Sequence, residues 1–336
     1  MAKKAPGKAH RKGLSLLEVA DMFRNEDDAR AWLEKQRWPD GPYCPTCGSF
    51  NVQCNSRSKT MTHRCRACPD KPFFSIRKGS VMEGTKLPYR VWAIAIYLFT
   101  TNLKGVSSMK LHRELGISQK AAWHLLHRLR EAARPGQCPF DGPVEVDESY
   151  FGGRRKNMPK KRRRQLTGRG PAGKTAVAGV KDRATNQVRA RVVPATDAAT
   201  LQAFVRGTAK PGATVYTDEA KAYGGLKRDY GHEAVNHGVG EYIRGQAGVN
   251  GMEGFWSMLK RAYGGTFHKI SPKHLDRYVQ EFAARHNIRE ADTIDQMQAL
   301  AAAMVGKRLR YNDLVAENGL DNGARGYSPS SSTRSQ

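Results

Sequence analysis

Apolar residues recur at three- and four-residue intervals over residues 14–36, the spacing of one or two amphipathic helices. Pro39, Gly41 and Pro42 break that pattern, and short β-prone pieces separated by turn residues follow to residue 80. A helical period returns over 87–133 and stops at Pro135 and Gly136. From Pro143 the period becomes that of strands. Residues 144–150, 175–181 and 187–193 are expected strands, the last two joined by a turn at 182–186. Residues 197–208 are an expected helix with Asp197 as its N-cap. Strands at 213–217 and 233–236 follow, then helices at 249–263 and 272–287. There is no internal repeat.

Three strands, a helix, a strand, a helical turn, a strand and a long helix make an α/β mixed sheet flanked by helices. This is the ribonuclease H-like order. The stretch 154–174, between the first two strands, is too basic and glycine-rich to be a packed element. The expected organisation is a basic tail with N-terminal helices (1–42), a cysteine-bearing segment (43–80), a helical segment (81–136), the α/β domain (143–290), and a C-terminal helix with a disordered tail (291–336).

Charge changes the picture next. The 336 residues hold 57 Lys and Arg against 31 Asp and Glu, a formal net charge of +26. Such an excess points to a polyanionic partner, nucleic acid ahead of an anionic membrane surface. No apolar run is long enough to cross a bilayer, and residues 90–99 make a core helix at most. The basic start has no apolar segment behind it and is read as a tail, not a secretory signal. The expected location is cytoplasmic, with the nucleoid when DNA is bound.

Cys44 and Cys47, then Cys65 and Cys68, form two C-x-x-C pairs separated by 17 residues. Each two-residue gap lets a turn aim both sulfurs at one ion, and four thiolates suit tetrahedral Zn²⁺. The spacing is that of a zinc ribbon. An unmetallated redox pair would not explain two pairs at this separation. The site leaves no open position, so its role is structural. Cys54 and Cys138 lie off the pattern and read as ordinary small hydrophobes; His63 is a less favoured ligand than the four cysteines.

Residues 106–133 contain two helical patterns joined at Gly116, with Ser118 able to cap the second. Ala122, Leu125, Leu126 and Leu129 share one face of that second helix. Gln119, Lys120, His124, His127, Arg128 and Arg130 fall on the rest. This is the layout of a helix-turn-helix whose second helix enters a major groove. An ordinary helical hairpin with a solvated charged face reads equally well from the pattern alone. A neighbouring ribbon and the charge of +26 favour DNA binding.

Three acidic residues complete the pattern. Asp147 lies inside the first strand of the α/β half, and Asp218 ends its fourth, where open α/β sheets collect ligands. Glu253 lies on the following helix with Asn250, Ser257 and Lys260 on its face. Carboxylates of this kind hold Mg²⁺ or Mn²⁺, and paired ions catalyse in-line phosphodiester displacement. Taken singly, strand-end aspartates are often caps, and Glu253 with Lys260 reads as a solvated helix face. Alternation puts Glu145 on the face of Asp147 and Glu148 on the other; Glu219 adjoins Asp218.

Together CPTCGS, HRCRAC, FFSIRKGSVMEGTKLPYRVW, SSMKLHRELGISQKAAWHLLHRLR, EVDESYFGG, VYTDEAKAY and NGMEGFWSMLKRAYGGTFHKISPKHLDRYVQEFAARHN resemble the bacterial insertion-sequence transposases of the zinc-ribbon, DDE-type, ISXO2-like group. The resemblance spans roughly residues 15–290. It implies a ribonuclease H-like catalytic domain using Asp147 and Asp218 as the first two metal-binding acids, Glu253 as the third and Lys260 as the following lysine. It implies cutting at element ends and joining of the 3′-hydroxyl to target DNA, with double-stranded DNA (terminal inverted repeats and target) as partner. A homodimer or larger assembly on DNA is expected, since two ends must meet. Arg162, Arg163 and Arg164 read as phosphate contacts, against a merely solvated charge run. His237 reads as a hydrogen-bonded histidine closing a strand. The other readings are a catalytically inert DNA-binding protein and a nuclease that hydrolyses without strand transfer.

Overall fold

The chain is described by a computed structural model over residues 12–56, 58, 60–70, 72–136, 138–153, 155–158, 160–167, 170–218, 221–235 and 250–322. Local capping sets the first elements. The Ser15 side chain accepts the Glu18 N–H while the Glu18 carboxylate accepts the Ser15 N–H, a capping box that starts α1 (Leu16–Met22). Asn25 caps α2 (Glu26–Arg37). Three short antiparallel strands follow, β1 (Val52–Gln53), β2 (His63–Cys65) and β3 (Phe73–Phe74), with β2 central. The apolar run near residue 95 forms α3 (Tyr89–Thr101), which buries Trp92, Ala93, Ile96 and Phe99. Ser107 caps α4 (Ser108–Leu115). Gly116 then turns the chain at φ +62°, a conformation that favours glycine, and Ser118 caps α5 (Gln119–Ala132).

The α/β half follows the expected order closely. It comprises β4 (Val144–Phe151), a short α6 (Lys160–Gln165), β5 (Thr175–Asp182), β6 (Val188–Val193), α7 (Ala198–Arg206), β7 (Thr214–Asp218), β8 (Gly231–Val235), α8 (Asn250–Ala262) and α9 (Pro272–Asn287). The sheet order is β6-β5-β4-β7-β8. β5 runs antiparallel to β4 and to β6, whereas β7 is parallel to β4 and to β8. The sheet is therefore mixed. One face packs Val144, Val146 and Val180 against Leu201 and Val205 of α7 and against Tyr223. The other packs Val177, Val188 and Ala190 against Met252, Phe255, Val279 and Phe282 of α8 and α9. β4, central and covered on both faces, has apolar residues on each.

The free edge of β6 is satisfied by side chains of α9. Asp276 accepts the Val192 N–H at 3.1 Å and Gln280 donates to the Ala190 carbonyl at 2.8 Å. Asn287 accepts the Val188 N–H and donates to its carbonyl, at 2.7 and 3.0 Å. These bonds fall on alternate strand residues and close an edge that would otherwise pair with another chain.

The last helices return to the N-terminal half. α10 (Thr293–Ala302) adds Met297, Leu300 and Ala301 to one apolar core shared with Val19, Leu33, Phe74, Trp92, Leu111 and Leu125. A short α11 (Tyr311–Val315) lies against α5. The halves are also tied by charge. Arg130 of α5 meets Glu281 of α9 at 2.7 Å with 1% and 0% of the side chains exposed. Arg285 grips the same carboxylate at 2.7 Å and donates to the Thr100 and Asn102 carbonyls at the end of α3. Among the described residues no helix is long and apolar enough to cross a membrane.

Candidate functional site

The four ribbon cysteines converge. Cys44 and Cys68 sulfurs stand 3.8 Å apart, Cys47 and Cys65 sulfurs 3.6 Å, and all four lie within 4.8 Å of one another. A tetrahedron with Zn–S bonds of about 2.3 Å has sulfurs about 3.8 Å apart, so the donor set and spacing fit a structural zinc ion. Backbone geometry makes the first knuckle: the Gly48 N–H returns to the Cys44 carbonyl, and the Thr46 N–H points at the Cys44 sulfur. His63 is not in the cluster; its ring is buried between Trp38 and Phe74. Cys54 and Cys138, read from the sequence as ordinary small hydrophobes off the ligand pattern, lie outside the cluster and are exposed.

The two aspartates sit on neighbouring parallel strands. Val144 pairs with Val215 and Glu145 with Tyr216. Continuing this register brings Asp147 level with Asp218, the last residue of β7. Asp147 accepts the Trp256 indole N–H at 3.0 Å and the Glu148 N–H at 2.8 Å. Burial first, then the Glu148 and Asp218 carboxylates, push Asp147 up to about 7, against the pull of those two donors. Glu148 is raised as well, by burial; the Tyr223 hydroxyl, donating at 2.7 Å, opposes this and Asp218 adds to it. Alternation along β4 holds: Glu145 and Asp147 meet α8, whereas Glu148 meets Tyr223 beneath the other face.

Helix α8 is locked onto this region by contacts that sequence reading missed. Glu145 accepts the Met252 N–H at 3.1 Å in the first turn of α8 and is held by Arg183 at 2.8 Å. Trp256 reaches Asp147 because Gly179, its cross-strand neighbour on β5, has no side chain. A Cβ there would stand 2.8 Å from the Trp256 ring and would also strike Met252. Gly179→Val should therefore lower stability by roughly 1–3 kcal/mol through overpacking. Urea unfolding followed by tryptophan fluorescence checks this, and unchanged stability would refute the packing argument. The legible signal was a tryptophan three residues after Glu253 on the buried side of the helix.

On α8 the buried positions are Met252, Phe255, Trp256, Leu259 and Ala262. Asn250, Glu253, Ser257 and Lys260 are exposed, the shared face expected from their spacing. Among the described residues, the cysteines are the one group of three or more Cys, His, Asp or Glu with ligand atoms within 4.8 Å of one another. The carboxylates of Asp147, Asp218 and Glu253 are thus not gathered as tightly as the thiols. Like charges repel, and Glu253 stands on the outer side of its helix.

The second helix of the expected helix-turn-helix needs a correction. Gln119 and Lys120 are exposed at its start, but His127, Arg128 and Arg130 are buried and His124 is half-buried. Arg128 donates to the carbonyls of Leu309 and Glu83 at 3.2 and 3.1 Å, and His124 lies 3.2 Å from the Leu309 carbonyl. The cationic side of α5 is occupied by α9 and the segment entering α11, whose Tyr311 ring sits 4.4 Å from the Lys120 ammonium. Arg163 and Arg164 are exposed on α6, in an arm that leaves β4 after Phe151 and returns at Thr175. The side chain of Arg162, and Glu219 and His237, lie outside the described residues.

Residues 139–287 match the ISXO2-like transposase domain, and residues 24–71 match the transposase zinc-ribbon domain. The chain is 29% identical over 276 residues to an uncharacterized protein in transposable element ISH50 of Halobacterium salinarum, covering 79% of this chain and 92% of that one. It is 32% identical over 100 residues to an uncharacterized transposase-like protein of Haemophilus influenzae, covering 30% of this chain and 80% of the relative.

Proposed function

This chain belongs to the ISXO2-like transposase family, and from that premise we propose that it is a metal-dependent DNA transposase that cuts at element ends and joins the freed 3′-hydroxyl to target DNA. The observation that carries the reading is the parallel β4–β7 register, which when continued sets Asp147 level with Asp218, with α8 fixed to Asp147 through Trp256. On this reading the α/β half is a ribonuclease H-like domain within 143–290, and the ribbon and helical segments 43–80 and 81–136 form its DNA-handling half.

Oxygen donors from Asp147, Asp218 and Glu253 suit Mg²⁺ or Mn²⁺. When bound, such ions activate a water or 3′-hydroxyl and neutralise charge on the leaving oxygen. The indole of Trp256 holds one Asp147 oxygen and so fixes the orientation of the carboxylate. Glu145 keeps the first turn of α8 against the sheet, the turn that carries Glu253 on its exposed side. Lys260, two helical turns beyond Glu253 on the same exposed face, is suited to a phosphate.

For binding, α4 and α5 are proposed to act as a helix-turn-helix with Gln119 and Lys120 as its contacts. His124 and Arg128 leave the proposed set in this conformation, because the Leu309 carbonyl already engages them. Arg162, Arg163 and Arg164 are proposed to meet phosphates, and two chains to hold two ends. Affinity for terminal-repeat duplex should fall by about 10³-fold or more between 50 and 200 mM salt, as expected when six or more phosphate contacts release counterions. Titration by fluorescence anisotropy reads this directly. Affinity that is flat with salt would contradict the basic segments as DNA contacts.

A further inference from the structure

The small ribbon sheet has an outer face that the zinc site does not use. Along β2, His63 and Cys65 are buried and Arg64 is exposed; on β3, Phe74 is buried and Phe73 exposed; on β1, Gln53 is the exposed member. Register then lines up the outward residues. Gln53 lies opposite Arg64, and Arg64 opposite Phe73, so the three form one row across the strands, about 10 Å long.

The chemistry of that row is specific. Phe73 is 46% exposed, and the Arg64 guanidinium sits 5.6 Å from its ring centroid. A flat aromatic face, a flat cation and an amide that both donates and accepts are the groups that receive an unpaired base, by stacking and by hydrogen bonds to its edge. The charge of the segment favours a polyanion over an apolar peptide: by sequence, residues 43–80 hold seven Lys and Arg against a single acid, Asp70. In a duplex the base faces are already stacked on one another, so the row has nothing to receive there.

We propose that the outer face of the ribbon sheet, built from Gln53, Arg64 and Phe73, is a stacking platform for unpaired bases in single-stranded DNA. It rests on the reading of this chain as a transposase, whose cutting and joining expose unpaired bases at strand ends. The ribbon would then hold zinc on one side and a frayed strand on the other.

The test measures anisotropy of two labelled probes with the full-length, zinc-loaded protein: a blunt terminal-repeat duplex, and the same duplex with a short single-stranded tail. Wild type should bind the tailed probe about tenfold tighter, the scale of stacking one base. Phe73→Ala should erase that advantage and leave blunt-duplex affinity unchanged, with zinc content and thermal midpoint retained. Phe73→Trp should preserve it, which separates lost stacking from a damaged ribbon. Phe50→Ala, at a position 70% exposed but outside the row, should change neither affinity. An equal tail advantage in wild type and Phe73→Ala, or none in wild type, overturns the platform. Failure of wild type to bind either probe would instead overturn the transposase reading beneath it.

Discussion

Asp147→Asn is expected to lower metal-dependent DNA cleavage by about 10³-fold or more while leaving DNA binding intact. Partners that merely orient a metal ligand are worth 10–100-fold, so loss of a ligand's own charge should exceed that. The amide keeps the size of the carboxylate and an oxygen able to accept the Trp256 indole N–H. It removes the charge that would hold a cation between β4 and β7. The same substitution carries a stability signature. Asp147 is raised to about 7, by burial before all else. A carboxyl raised in the folded state contributes stability that is fully present below its unfolded value near 4 and lost as pH rises through about 7. With no magnesium or manganese present, wild type should lose stability between pH 5 and pH 8, and the variant should lose less. Equal slopes in urea unfolding, or full cleavage by the variant, would remove Asp147 from the proposed site.

Loss of zinc is the second large effect. Strands of two or three residues cannot stand as an independent sheet, so the ribbon depends on its metal. Structural zinc in such folds is worth about 10–16 kcal/mol of binding free energy at neutral pH, and that energy is folding energy. Here the ribbon is not a pendant. Cys44, Cys65, Phe74 and Ile76 belong to the same apolar core as Leu33 and Trp92, so its collapse should spread into α2 and α3. Cys65→Ser, at a position 1% exposed, should lose the zinc equivalent seen by atomic absorption and lower the thermal midpoint by more than about 10 °C. A variant that keeps its midpoint would show that the ribbon stands without the metal.

Much of this was legible because it is local. The C-x-x-C spacing fixes which sulfurs can meet before any fold exists, and the four do meet. Helix α9 begins and ends where Pro272 and the end of the periodicity near Asn287 said it should. Asp218 closes its strand, and Asp197 caps α7. What the sequence could not give was the surroundings of each face. Polar residues on α5 suggested an open surface, yet His127 and Arg130 face α9 and Arg128 faces Leu309, neighbours from more than 140 residues away. Periodicity identifies the faces of a helix, not how many of them are covered. Gly179 was equally silent: its importance comes from Trp256, which approaches from another element.

The most direct test of the central claim uses the purified protein, Mg²⁺ or Mn²⁺, a labelled duplex carrying the terminal repeat from beside its gene, and a target plasmid. On the proposed function, a denaturing gel shows a nick at the element end and label joined covalently to plasmid, both lost with Asp147→Asn. Label that stays intact, or is only hydrolysed and never joined, would contradict it.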